Sequence, residues 1–317
     1  MTKNVHVTFI AAVFVLLLLA TCFAGCTSQT PTTPAANTTP AATTVATASS
    51  QTLVIATTTS LYDTKLLDYL QPIFENKYNV TLKITSQGTG KAIELAKRGD
   101  ADVLLVHSPS QELAFMKDGY GLNRRTFASN SFIIVGPAND PAGIANITTE
   151  NAFTTILLKG TNKTANVSFI SRGDGSGTHA AEQKIWSNAK YNYTQNVEKS
   201  GTWYVEAGKG MGETLQMASE KGAYTLTDEG TYLAYKSNLD LVPIISKGPS
   251  LLNIYSVMAV YNDKQPADKI QMANNFINFL IAPEIQADIG NYGVDTYGKS
   301  LFIPMSVSVP TASAGAG

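Results

Sequence analysis

The sequence predicts an α/β protein with a parallel sheet, built as two lobes that the chain crosses between near residues 137 and 250. Three observations predict it. Short apolar runs alternate with helix-period segments of roughly 10–15 residues, the pattern of repeated strand–helix units. Phe132 to Val135 runs into Gly136-Pro137, and a later strand, Ile254 to Tyr261, reads as a return, so a second α/β unit lies between them. Three times, a strand end is followed by hydroxyl or glycine residues and then by a helix.

The elements follow in order. Leu53 to Ala56 is a short buried strand, and Leu66, Leu67, Leu70, Ile73 and Phe74 recur at helical spacing up to Tyr78. Val80 to Ile84 alternates like a strand, Gly88-Thr89-Gly90 breaks it, and Ala92 to Arg98 is the second helix. Val103 to Val106 is a strand and Gln111 to Lys117 a helix. In the second unit, Phe169-Ile170 leads through a glycine-rich loop into a helix around Ala180 to Trp186. Glu213 to Ser219 is helical and Ala223 to Leu226 a strand. Ile270 to Leu280 is an apolar, periodic helix near the C-terminus.

The N-terminus carries a different signal. Lys3 precedes an apolar run from Val7 to Ala20, about 14 residues against the roughly 20 that a membrane span needs, so it reads as a signal-peptide core. Phe23-Ala24-Gly25-Cys26 follows and resembles a lipobox, in which the cysteine thiol takes lipid. Residues 1–25 are then a signal peptide, and Cys26 anchors the chain to the outer face of the cell membrane. Residues 26–51 form a Thr/Ala/Pro/Ser tether too poor in large apolar residues to fold, and 307–317 form a short tail. The remaining cysteine, Cys22, leaves with the signal, which excludes disulfides, thiolate metal sites and cysteine nucleophiles from the body. Sequons at Asn37, Asn79, Asn146, Asn162, Asn166 and Asn192 are consistent with export.

Composition narrows the function. A net charge of −1 with scattered Lys and Arg lacks the basic face that nucleic-acid binding needs. An anion would therefore be gripped locally. Thr57 to Ser60, Gly88 to Gly90 and Ser171 to Thr178 each place small residues at a helix start, where free N–H groups and the helix dipole suit an anion. Arg172 offers a guanidinium fork for oxyanions. Plain N-capping would equally explain the first of these, and a turn the second. Ser171 to His179 is harder to explain that way, because a cap does not require three glycines, an arginine and a histidine together.

Enzyme signatures fail in detail. Asp174 stands where a Gly-x-Ser-x-Gly elbow around Ser176 needs glycine, and Gly88-Thr89-Gly90-Lys91 lacks the spacing of a phosphate-binding loop. Glu213 replaces the last glycine of a dinucleotide fingerprint after Gly208-Lys209-Gly210-Met211-Gly212. Asp174, Ser176 and His179 lie too close in sequence for an ordinary triad. His107 ends a strand and reads as structural, and the few histidines argue against a metal site.

Five stretches together resemble the tungstate-binding proteins of ABC-type importers: Ala56 to Ser60, Gly99 to His107, Gly119 to Arg125, Ser171 to His179 and Ala223 to Asp228. The resemblance spans Leu53 to Pro304 and implies a two-lobed type II periplasmic-binding-protein fold with a ligand cleft between lobes. Lobe 1 would comprise 52–136 and 252–306, and lobe 2 would comprise 137–251. It implies no enzyme activity, no cofactor and no bound metal beyond the tungstate oxyanion itself. On the motif positions it puts Thr58, Thr59 and Ser60 on the ligand, Arg172 as the grip, and Ser176, Gly177 and Thr178 at the adjoining helix start. By analogy with related molybdate binders it adds Thr89, Met211, Gly212 and Thr225. The expected protein is a monomeric, lipid-anchored, extracytoplasmic receptor that passes tungstate or molybdate to an importer permease. A phosphate- or sulfate-binding receptor and an anchored surface hydrolase are the alternatives.

Overall fold

A computed structural model describes residues 51–163 and 166–305. The expected signal, Cys26, residues 26–50 of the tether and the tail 307–317 lie outside the described residues. Gln51, the last residue of the expected tether, already belongs to the first strand.

The first half opens with β1 (Gln51–Thr58), α1 (Thr59–Asp63) and α2 (Leu66–Tyr78). Thr58 stops the strand and caps α1, its Oγ1 accepting from Leu61 N at 3.3 Å. Then come β2 (Val80–Gln87), α3 (Thr89–Arg98), β3 (Val103–Val106), α4 (Pro109–Lys117) and β4 (Gly121–Pro137). Gly88 ends β2 as expected and is the N-cap of α3, which begins at Thr89, and Gly99 closes that helix at φ 83°, where an L side chain is strained.

The middle comprises α5 (Thr149–Thr161), β5 (Phe169–Ser171), α6 (Gly177–Asn188), a π-helical turn at Tyr193–Val197 and β6 (Tyr204–Glu206). It continues with α7 (Met211–Glu220), β7 (Thr225–Asp228), α8 (Glu229–Tyr235) and β8 (Leu241–Ile245). The chain closes with β9 (Leu252–Val260), α9 (Ala267–Ile281), α10 (Pro283–Asn291), α11 (Val294–Tyr297) and β10 (Ile303–Pro304).

The sheet is mixed, not parallel. Its order is β10-β4-β9-β3-β1-β2, and only β1 with its neighbours β2 and β3 runs parallel there. β9 lies antiparallel between β3 and β4, from Gly121↔Val260 to Ser131↔Leu252 on the β4 side. The far end of β4 pairs antiparallel with β7 and β8. The reason is topological. The chain leaves along β4 and returns along β9, and two neighbouring strands that carry a chain out and back must oppose each other.

Apolar side chains gather around two centres. Leu53, Phe74, Leu105, Phe127, Tyr255 and Phe276 belong to one set, with Ala56, Leu104 and Val260 on the other face of the same strands. Phe132, Phe153, Phe169 and Trp186 belong to the other, with Ile133, Ile170, Met211 and Leu215 behind them. Membership changes between Ala128 and Phe132 on β4 and between Leu251 and Tyr255 at the start of β9. Long strands thus carry two cores, and the helix starts α1, α3, α6 and α7 meet where the cores adjoin.

Candidate functional site

The first turn is built by β1 ending in hydroxyl residues. Thr58 Oγ1 caps α1 and lies 3.3 Å from Ser60 Oγ. Ser60 Oγ in turn lies 3.0 Å from His107 Nε2. The amide nitrogen of Asn253 is spent on Asn130 Oδ1 at 2.8 Å and Tyr255 OH at 2.9 Å, so its oxygen faces His107 Nδ1, also at 2.8 Å. That sets the tautomer: Nδ1–H donates to Asn253 and Nε2 accepts from the Ser60 hydroxyl. Burial pushes the His107 imidazole down to about 4, so it stays neutral. His107, read from sequence as structural, therefore belongs to the cluster as the residue that orients Ser60.

The second and third turns pack on each other. A Cβ at Gly88 would stand 2.9 Å from Asp174 Oδ2 and 3.3 Å from Ser176 Cβ, so glycine there lets α3 approach the Arg172 loop. Gly90 N donates to Gly175 O at 3.3 Å. Gly177 opens α6 directly against the His107 ring, where a Cβ would come within 2.8 Å. Ser176 caps α6, its Oγ accepting from His179 N at 3.2 Å.

Arg172 is 1% exposed. Its Nη2 donates to Asp174 Oδ2 at 2.6 Å, while Nε and Nη1 have no partner among the described residues. Thr59 Oγ1, Thr89 Oγ1 and Thr178 Oγ1 are likewise buried and unpartnered. Buried donors are almost always satisfied in folded proteins. Others occur elsewhere among the described residues, at Ser108, Asn130, Thr149 and Trp203, but those on Thr59, Thr89, Arg172 and Thr178 lie on the three turns that sequence singled out.

The fourth helix start completes the ring. A Cβ at Gly210, the cap of α7, would lie 3.6 Å from Thr59 Cγ2. The Met211 side chain is buried in the core with Ile133 and Ile170, so only its backbone faces the helix start. Thr225 is fully buried on the strand that precedes α8. It opens β7, and its hydroxyl is directed at Leu226 O at 3.4 Å. Thr231 of α8, which follows β7, lies against the first turn, with its Oγ1 3.2 Å from Ser60 O.

Two buried carboxylates, Asp63 and Asp228, shape the field. Burial, and then the charge of Asp228, push Asp63 up to about 6, against the pull of Arg172. Asp228, fully buried, is raised by desolvation, while it accepts from Thr231 N at 2.9 Å and Thr231 Oγ1 at 2.7 Å.

The side chains of a hydrolytic triad are present but not assembled. Asp174 is engaged by Arg172 and Ser176 N, Ser176 is a helix cap, and His179 turns its Nε2 to Tyr193 OH at 2.9 Å. No group of three or more metal-ligating side chains occurs among the described residues, and no helix among them is long and apolar enough to cross a membrane.

Known proteins share this architecture. A family described as the PBP superfamily domain matches residues 37–284. The tungstate-binding protein TupA of Peptoclostridium acidaminophilum is 38% identical over 289 residues, covering 91% of this chain and 95% of that protein. A solved structure described as the tungstate ABC transporter from Geobacter sulfurreducens has 44% identity and a TM-score of 0.67, covering 76% of this chain and 98% of that one. The tungstate binding protein TupA from Desulfovibrio alaskensis G20 has 37% identity and a TM-score of 0.66, covering 81% and 100%.

Proposed function

The chain belongs to the PBP superfamily, among the tungstate-binding proteins of ABC transporters, and from that premise we propose that it captures tungstate outside the cytoplasm for delivery to an importer permease. Its relatives are transport proteins and not enzymes, and tungstate is for them a ligand to be carried and not a cofactor. Lobes of residues 52–136 with 252–306 and of 137–251 close over the anion by bending where β4 and β9 pass between the cores. Cys26 carries the lipid that holds the monomeric receptor at the outer face of the membrane.

One observation supports this reading above the others: five buried donor atoms without partners among the described residues, on Thr59, Thr89, Thr178 and Arg172, at or beside adjoining helix starts. A tetrahedral dianion with no proton offers acceptors only, which matches a shell of donors. Phosphate carries a proton at neutral pH and gains from an acceptor in the shell. The carboxylates nearest to that role, Asp174 and Asp228, are engaged by Arg172 and Ser176 N and by Thr231. Tungstate and molybdate, alike in size and charge, remain together as ligands of this shell.

Calorimetric titration with tungstate, molybdate, sulfate and phosphate tests the proposal. One-to-one binding of tungstate or molybdate far tighter than that of sulfate and phosphate is expected. Phosphate or sulfate binding more tightly would overturn the ligand, and no binding by any of the four would overturn the receptor reading.

A further inference from the structure

The Arg172 turn is a demanding piece of backbone. Gly173 and Gly175 both sit in the left-handed region, at φ 57° and 70°. Three side chains tie down three of the amides of this turn. Ser171 Oγ accepts from Gly173 N, His179 Nδ1 from Gly175 N and Asp174 Oδ1 from Ser176 N, each at 3.1 Å.

The His179 tie is unusual because it sets a proton. A backbone N–H can only donate, so Nδ1 is bare and Nε2 carries the hydrogen. Nε2–H donates to Tyr193 OH at 2.9 Å, and Tyr193 OH donates to Glu206 Oε1 at 2.5 Å. Burial holds the imidazole below its ordinary value, which keeps Nδ1 bare. Behind the turn, Glu182, itself 1% exposed, accepts from Ser171 Oγ at 2.6 Å, Tyr204 OH at 2.6 Å and Trp186 Nε1 at 3.1 Å. Ser171 is thereby locked with its lone pair toward Gly173 N.

We propose that His179, backed by Tyr193 and Glu206, and Ser171, backed by Glu182, are positioning residues that hold the Gly173–Gly175 turn in the one conformation that directs Arg172 and the α6 amides at the oxyanion. None of them touches the anion. Their effect is pre-organisation: a turn fixed before the ligand arrives does not have to be ordered by it. The Tyr193 and Tyr204 hydroxyls lie 3.0 Å apart, with their protons spent on Glu206 and Glu182, so the two ties adjoin behind the turn. The inference rests on the tungstate-receptor reading of the same site.

Three substitutions at one position separate positioning from mere packing. Asn places its oxygen where Nδ1 stands, Gln places its acceptor where Nε2 stands, and Leu supplies none. Tungstate titration of the full chain, with thermal unfolding of each unliganded variant, reads both affinity and folding. His179→Asn is expected to keep the wild-type dissociation constant within about threefold, while His179→Gln and His179→Leu weaken it roughly tenfold or more by leaving Gly175 N unpaired. Asn and Gln variants that melt alike but bind differently support the inference. Asn binding as weakly as Gln, or Leu and Gln binding like the wild type, overturns it. If Leu does not fold, the Asn–Gln pair still decides. A wild-type chain that ignores tungstate would instead be a failure of the functional reading.

Discussion

Replacing Arg172 by Met keeps most of the buried volume and removes the guanidinium. In the protein Arg172 spends one nitrogen on Asp174 and leaves two, Nε and Nη1, unpartnered. If both donate to the oxyanion, two charge-assisted hydrogen bonds are lost, each about 1.5–3 kcal/mol. The sum is about 3–6 kcal/mol, or roughly a hundredfold to ten-thousandfold in dissociation constant at about 1.4 kcal/mol per decade. Arg172→Lys keeps the charge but not the fork, so its loss should be smaller. The substitution also strips Asp174, 10% exposed, of its cation. Arg172→Met combined with Asp174→Asn removes that complication. Calorimetric titration with tungstate is the assay, with denaturant unfolding as the folding control. A folded Arg172→Met that binds within threefold of the wild type would refute the reasoning.

Other expectations follow from the same geometry. Thr178→Val removes a buried, unpartnered hydroxyl and should weaken tungstate by roughly tenfold, whereas Ser60→Ala, whose hydroxyl is held by His107, should cost about threefold or less; equal losses in the titration would contradict the assignment. Gly177→Ala drives a Cβ to 2.8 Å from a His107 ring that is bonded at both nitrogens and stacked 4.9 Å from Tyr255, so denaturant unfolding should show a loss of about 1–3 kcal/mol. Glu182 has its carboxyl pushed up by burial from 4.5 to about 7. The folded state then holds the proton more tightly, so this residue's contribution is present below pH 4.5 and is lost as pH rises through about 7. The loss is up to about 3 kcal/mol. Urea unfolding at pH 5 and pH 8 measures it, and Glu182→Gln should flatten the difference; an unchanged slope would remove Glu182 as its source.

Much of this organisation was legible in the residues. The strand–helix alternation from Leu53 to Lys117 holds, because period-2 and period-3.6 patterns follow from backbone geometry alone. The three hydroxyl and glycine turns that sequence marked as anion sites are helix starts, and they pack together. The readings that failed share a cause. β4 was visible only at Phe132 to Val135, since Asn123-Arg124-Arg125-Thr126 is polar and β-propensity depends on the neighbouring strand. α5 went unread because threonines crowd its start and sequons its end. A parallel sheet was inferred from local alternation, which carries no information on the direction in which β9 returns.

Local chemistry is written in the chain itself. Helix starts, glycines that permit left-handed backbone, the cation at Arg172 and the donors on either side of it all depend on residues a few positions apart. Pairings between distant residues depend on the fold. His107 reaches Ser60 across 47 positions and Asn253 across 146, and those two bonds convert a strand-end histidine into the residue that orients a site hydroxyl. Thr231 meets Ser60 across 171 positions because the fold lays α8 against α1. Which donors are left free for an anion is settled by which neighbours claim the rest, and that accounting exists only once the chain has folded.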